Sequence, residues 1–139
     1  MNTSSKQKPK NLSTILVVED EALLLTAISA KLNKLGIEAV TVTSGAQALD
    51  YLENLQQYSA LPDAIWLDYH LKDMDGLQFM SAIRKNPELS KIPVIIVSNS
   101  ASNDKVESML ALGAKKYLLK AEHRLDEIVN IFGELVENE

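Results

Sequence analysis

Short, unbroken apolar runs alternate along this chain with longer stretches whose apolar residues recur at helical spacing. Thr14–Val18, residues 37–42, Ala64–Leu67, residues 94–97 and Lys116–Leu119 form the short runs. They do not alternate apolar with polar, which is the pattern of strands buried on both faces of a parallel sheet. Between them, Leu24, Ile28, Leu32 and Leu35 mark one helical face over residues 21–35, with Gly36 as its stop. Thr43-Ser44-Gly45 reads as a turn and cap before a helix over 46–55, with Ala48, Leu49 and Leu52 inward. Pro62-Asp63 opens the third strand. A helix over 75–85 starts at Asp75-Gly76, offers Leu77, Met80, Ala82 and Ile83 to the core, and ends at Asn86-Pro87. Pro93 opens the fourth strand. Ser102 caps a helix with a Val106, Met109 and Leu110 stripe, stopped by Gly113. Leu125, Ile128, Val129, Phe132 and Val136 mark a closing helix. Five βα repeats of this kind predict an α/β fold, a doubly wound parallel sheet of five strands.

In such a sheet the carboxyl ends of the strands share one rim, and ligands bind there. Glu19 and Asp20 close the first run, Asp68 the third, Ser98 the fourth and Lys120 the fifth. Three carboxylates facing one ammonium repel one another unless a divalent cation joins them. Magnesium suits this set, because it takes oxygen ligands and keeps several waters. A phosphoryl group could then be held by the cation, by Lys120 and by the Ser98 hydroxyl. Asp68 is a competent nucleophile toward phosphorus; the product is an aspartyl phosphate, which water reverses.

Composition narrows the field. At 139 residues the chain is long enough for one ordinary core. A net charge of -5, with no basic stripe, argues against nucleic acid as a partner. There is no cysteine, so disulfides and zinc-thiolate sites are excluded. No apolar run suits a bilayer, so no membrane partner is expected. The polar start lacks the apolar core of a secretory signal; residues 1–12 are expected to be a disordered tail, and 13–139 the domain. The expected location is cytoplasmic, and no room is seen for an effector domain. No glycine-rich phosphate loop occurs: Gly45, Gly76, Gly113 and Gly133 are isolated and read as turns or helix ends. His70 and His123 lack metal-ligand spacing.

The order of these pieces resembles a response regulator receiver domain over residues 14–136. The matching residues are Val17-Val18-Glu19-Asp20, Leu67-Asp68, Met74-Asp75-Gly76, Pro93 through Ser98, Gly113-Ala114, Tyr117 and Lys120. The resemblance implies a flavodoxin-like fold with strand order 2-1-3-4-5. It implies that Asp68 is the phosphoacceptor, taking its phosphoryl group from a histidine kinase or histidine phosphotransfer protein. Asp20 and Asp68 would bind magnesium directly, Glu19 through water, and His70 through its backbone carbonyl. Lys120 would contact the phosphoryl group. Ser98 and Tyr117 would form a switch pair that alters binding to a downstream protein target. On this reading the chain is a stand-alone signalling module, not an enzyme.

Departures from the family pattern set further expectations. Glu19 stands where aspartate is more frequent, Lys72 where proline is usual, and Asn99 where a small residue is usual. Ala121 stands where a proline usually makes a cis bond; the Lys120–Ala121 bond is expected to be trans with a relaxed loop, or else strained. Bland roles compete at several positions: a solvated rim charge for Glu19, strand packing for Tyr117, a loop residue for His70 and a helix-approach residue for Ser100. Asp75 reads as an N-cap and Trp66 as core. Leu23 lies off the buried face of its helix, close to the acid pair; it is either peripheral packing or a docking contact for a helical phosphodonor. A receiver-shaped scaffold that binds partners without phosphorylation is the competing function. An enzyme that uses an aspartyl-phosphate intermediate on a small substrate fits less well, because Tyr69 and His70, not a second acid, follow Asp68.

Overall fold

A computed structural model describes residues 11–56, 61–100 and 102–137. Five strands and five helices alternate: β1 (Thr14–Val18), α1 (Ala22–Lys34), β2 (Glu38–Val42), α2 (Gly45–Gln56), β3 (Ala64–Leu67), α3 (Gly76–Arg84), β4 (Val94–Ser98), α4 (Asn103–Ala111), β5 (Lys116–Leu119) and α5 (Leu125–Glu137). All strand pairs are parallel, in the order β2-β1-β3-β4-β5. This is the doubly wound sheet that the βα alternation predicts, with the order the resemblance implied. Two short 3₁₀ turns, Leu89–Lys91 and Lys120–Glu122, have no signal in the apolar pattern.

The unbroken strand runs are explained by two core layers. Leu16, Val18, Ile65, Leu67, Val94 and Ile96 face Ala48, Leu52, Phe79, Met80, Ile83 and Met109. Ile15, Val17, Trp66, Ile95 and Val97 face Ile28, Leu32, Ile128, Val129 and Phe132 on the other side. Alternate residues of one strand therefore enter opposite layers, and each must be apolar. Trp66 stacks on Phe132, ring centroids 5.6 Å apart, as its expected core role requires.

Helix ends follow local chemistry. Asp75 and Gln78 form a reciprocal capping box at α3: Gln78 N–H donates to Asp75 Oδ1 and Asp75 N–H to Gln78 Oε1, each at 2.9 Å. Ser102 Oγ accepts from Lys105 N–H at α4, at 3.3 Å. Gly113, at φ 107°, stops α4 in the left-handed region where a β-carbon is strained.

Three expectations need correction, and one pair of alternatives is resolved. Leu12, placed with the tail, is fully buried in the α1/α5 layer, because it continues the apolar line of β1; residues 1–10 lie outside the described residues. Gly133 is buried within α5 and ends nothing, since that helix runs on through Leu135 and Val136, which pack on the sheet. Leu110 is 44% exposed, so the α4 stripe narrows to buried Met109 and half-buried Val106. Among the described residues no peptide bond is cis. The Lys120–Ala121 link is therefore trans, and the chain relaxes into the 3₁₀ turn that follows.

Candidate functional site

Strand register assembles the rim. Val18 pairs with both Val42 and Leu67, so Glu19 and Asp68 leave adjacent strands side by side. The ladder extends one step past the strands: Glu19 N–H donates to Val42 C=O at 3.1 Å and Asp68 N–H to Val18 C=O at 3.0 Å. Ser98 pairs with Leu119, which delivers Lys120 to the same edge. As a result, carboxylate oxygens of Glu19, Asp20 and Asp68 lie within 4.8 Å of one another. The Lys120 ammonium stands 3.0 Å from Glu19 Oε1 and 3.6 Å from Asp68 Oδ2. The first contact is an ion pair without aligned hydrogen-bond geometry, so Oε1 keeps an open lone pair. Glu19 Oε2 accepts from Glu21 N–H at 3.0 Å, tying the start of α1 to the site.

The electrostatics are those of a frustrated acid cluster. Glu19 is wholly buried and Asp68 is 6% exposed. Burial, then the Glu19 charge, lifts the Asp68 carboxyl to about 6; Lys120 and the His70 N–H pull it back only in part. Burial works against the Lys120 charge, but Glu19 and Asp68 outweigh it and raise that ammonium above its ordinary value. All the acidic donors are oxygens, as a hard divalent cation requires. A cation there would relieve the repulsion that now lifts Asp68.

Ser98 is fully buried, and its hydroxyl has no hydrogen-bond partner among the described residues. Such a group costs about 1–3 kcal/mol to bury, so its retention beside the acids needs a reason beyond packing. Tyr117 is half-buried; its hydroxyl donates to the Ser100 carbonyl at 2.8 Å, in the segment after β4. Burial raises the Tyr117 pKa, nearby Ser98 lowers it, and the Asp68 charge raises it again. The His70 side chain is exposed, while its N–H lies 3.4 Å from Asp68 Oδ1. Leu23 is 84% exposed, which rules out the packing role considered for it.

Two features of the site had no sequence signal. Lys105, from the first turn of α4, sits 5.0 Å above the Tyr69 ring and 3.5 Å from His70 Nε2. Tyr69 is 3% exposed and also meets Tyr117, with ring centroids 6.2 Å apart. An aromatic bridge thus joins the residue after Asp68 to both α4 and β5. Asp73 caps α2 from the far side of the rim. Partners this distant in sequence leave no local pattern.

Fold and rim together define a class: doubly wound α/β proteins whose chemistry sits at the carboxyl ends of their strands. Residues 15–132 match the family profile of the response regulator receiver domain, and the chain belongs to that family. Two-component response regulator ORR8 of Oryza sativa is 31% identical over 106 residues, covering 76% of this chain and 84% of that protein. Response regulator Rcp1 of Synechocystis is 30% identical over 117 residues, covering 81% and 79%. Among solved structures, the receiver domain of sensor histidine kinase PA1611 from Pseudomonas aeruginosa, with magnesium coordinated in its active-site cleft, superposes with TM-score 0.77. It is 28% identical and covers 91% of this chain and 98% of that one. The phosphorylated cyanobacterial phytochrome response regulator RcpA superposes with TM-score 0.73 at 29% identity, covering 91% and 92%. Some relatives are far longer. The chain spans 14% of sensor histidine kinase CheAY of Helicobacter pylori, at 29% identity over 119 residues. It spans 34% of a protein-glutamate methylesterase of Archaeoglobus fulgidus, at 33% identity over 125 residues. Among the described residues no helix is long and apolar enough to cross a membrane.

Proposed function

We propose that Asp68 is the phosphoacceptor of this receiver domain and that Glu19, Asp20 and Asp68 hold a magnesium ion. The observation that carries this reading is the meeting of three carboxylates, one ammonium and one unpartnered buried hydroxyl at a single rim. Bound magnesium supplies positive charge to the acids and to phosphoryl oxygens. Asp68 attacks phosphorus from one carboxylate oxygen; the donor's nitrogen–phosphorus or oxygen–phosphorus bond breaks, and the donor leaves with that electron pair. Lys120, already between Glu19 and Asp68, offers its ammonium to the charge that the phosphoryl group brings. The Ser98 hydroxyl donates to a phosphoryl oxygen and so gains the partner it lacks.

The backbone supports His70 as a further oxygen donor. Tyr69 C=O accepts from Gly76 N–H at 2.8 Å, and Leu71 N–H donates to Met74 C=O at 3.2 Å. His70 lies between them, opposite Asp75, in a pair whose own N–H and C=O point away from the partner. Its N–H faces Asp68, so its carbonyl faces the same side. Ser98 and Tyr117 then act as the switch: drawing the Ser98 hydroxyl toward a phosphoryl group changes what the Tyr117 ring packs against, and the α4–β5 surface reports it to a downstream protein. The module itself performs no turnover on a separate substrate.

Acetyl phosphate with magnesium is expected to add one phosphate to the wild type and none to Asp68→Asn, read by intact mass. A wild type that stays unmodified would leave only a phosphorylation-independent scaffold. The physiological donor is a histidine kinase or histidine phosphotransfer protein, and Leu23 is a docking contact for it. Leu23 projects from the first turn of α1, beside the acid pair, with no core to pack on. Leu23→Ala is expected to weaken docking by about 1 kcal/mol or more, raising the half-saturating concentration for protein-to-protein transfer. Its acetyl phosphate rate and its stability stay at wild-type values. An unchanged transfer rate at every donor concentration would remove Leu23 from the docking surface.

A further inference from the structure

The loop between β3 and α3 is fastened to the start of α2. Asp73 accepts from Gly45 N–H through Oδ1 at 3.0 Å and from Ala46 N–H through Oδ2 at 2.8 Å. These donors open the helix and have no partner within it. The next, Gln47 N–H, is satisfied locally by Ser44 Oγ at 3.1 Å. Slight burial pushes the Asp73 carboxyl up, but the Ala46 and Gly45 N–H groups outweigh it and hold it below its ordinary value. Met74 adds a second fastening. It lies so close over Gly45 that a β-carbon there would collide with its Sδ and Cγ.

The fastened loop also carries the His70 carbonyl. Its far end is fixed by the Asp75–Gln78 capping box at α3. Its near end is fixed by Asp68, which leaves β3. Between them the Asp73 and Met74 contacts attach the loop to α2, while the Tyr69 ring and the His70 side chain meet Lys105 of α4. We propose that Asp73 is a positioning residue: by clasping the N-terminus of α2 it keeps the His70 carbonyl turned toward Glu19, Asp20 and Asp68, and so tightens magnesium binding from outside the ligand set. This inference rests on the acid cluster being the magnesium site.

Magnesium chloride titrated calorimetrically into the metal-free full chain tests it, with hydrogen exchange as a second readout. Asp73→Ala is expected to bind magnesium about tenfold more weakly, the low end of what orienting partners of metal ligands contribute. Asp73→Asn, which keeps one acceptor oxygen, should fall between Asp73→Ala and wild type. Ser44→Ala weakens the same helix end without touching the loop, and it should bind like the wild type. Without metal, the Leu71 and Gly76 amides should exchange faster in Asp73→Ala only. Wild-type affinity in Asp73→Ala, or an equal loss in Ser44→Ala, would overturn the proposal while leaving the metal site intact. No magnesium binding by the wild type would overturn the site reading itself, and this inference with it.

Discussion

Lys120→Met is expected to lower the acetyl phosphate rate by about two to three orders of magnitude, the scale of removing one fixed donor from a developing oxyanion. Two effects combine. The phosphoryl group loses the ammonium that stands 3.6 Å from Asp68 Oδ2. Glu19, which is wholly buried, loses the cation that stands 3.0 Å from its Oε1. With that counter-charge gone, Asp68 binds its proton more tightly and is a poorer nucleophile. Breaking a buried pair from one side also destabilises by about 3–5 kcal/mol, because a charge stays behind uncompensated. Rates should therefore be measured where circular dichroism shows the variant folded, and magnesium should recover part of its stability. A folded Lys120→Met protein phosphorylated within about threefold of the wild-type rate would deny Lys120 the role that oxyanion stabilisers play.

In the metal-free protein, the part of the unfolding free energy that depends on Asp68 should fall as pH rises from about 4 to about 7, by up to about 3 kcal/mol. The sign follows from the direction of the shift. The native carboxyl titrates at about 6 against 3.8 for the free group. Between those values the native state holds a proton that the unfolded chain has released, so raising the pH favours unfolding. The penalty is absent below the lower value and complete above the higher one. Asp68→Asn should remove this slope and be the more stable protein at pH 7. Asp73 and Asp126, both held below the ordinary range, push stability the other way at lower pH. The quantity to compare is therefore the wild-type minus Asp68→Asn difference, from urea unfolding in the presence of a chelator. A difference that is flat, or that grows in favour of the wild type with pH, would contradict the buried-acid account. Saturating magnesium should erase most of the difference, since it binds the native site alone.

Much of this was visible in the linear chain because parallel strands buried on both faces must be continuous apolar runs. The end of each run is then the rim. That logic located Glu19, Asp20, Asp68, Ser98 and Lys120 before any packing was known, and the register of β1 with β3 and of β4 with β5 brings them together. Strand order came through the resemblance, since apolar runs carry no information about which strand lies beside which. The Lys120–Ala121 bond stayed open as two alternatives, because the sequence shows that proline is missing but not how the loop responds. The Asp73 clasp joins positions 27 and 28 residues apart, and the Lys105 contact to His70 spans 35. A lone loop aspartate and a first-turn lysine look the same in sequence whether or not such partners exist. Leu12 escaped notice for a simpler reason: its neighbours are polar, so it read as tail, yet its side chain fills the layer under α1 and α5.

The phosphoryl group can be traced to the residue that accepts it. Borohydride reduces an acyl phosphate to the alcohol, so a phosphorylated aspartate becomes homoserine and stays marked through proteolysis. After acetyl phosphate and magnesium treatment, peptide sequencing by mass spectrometry should find homoserine at position 68 in the wild type and at no position in Asp68→Asn. Homoserine at Asp20, at Asp73 or at any other aspartate in place of position 68 would contradict it.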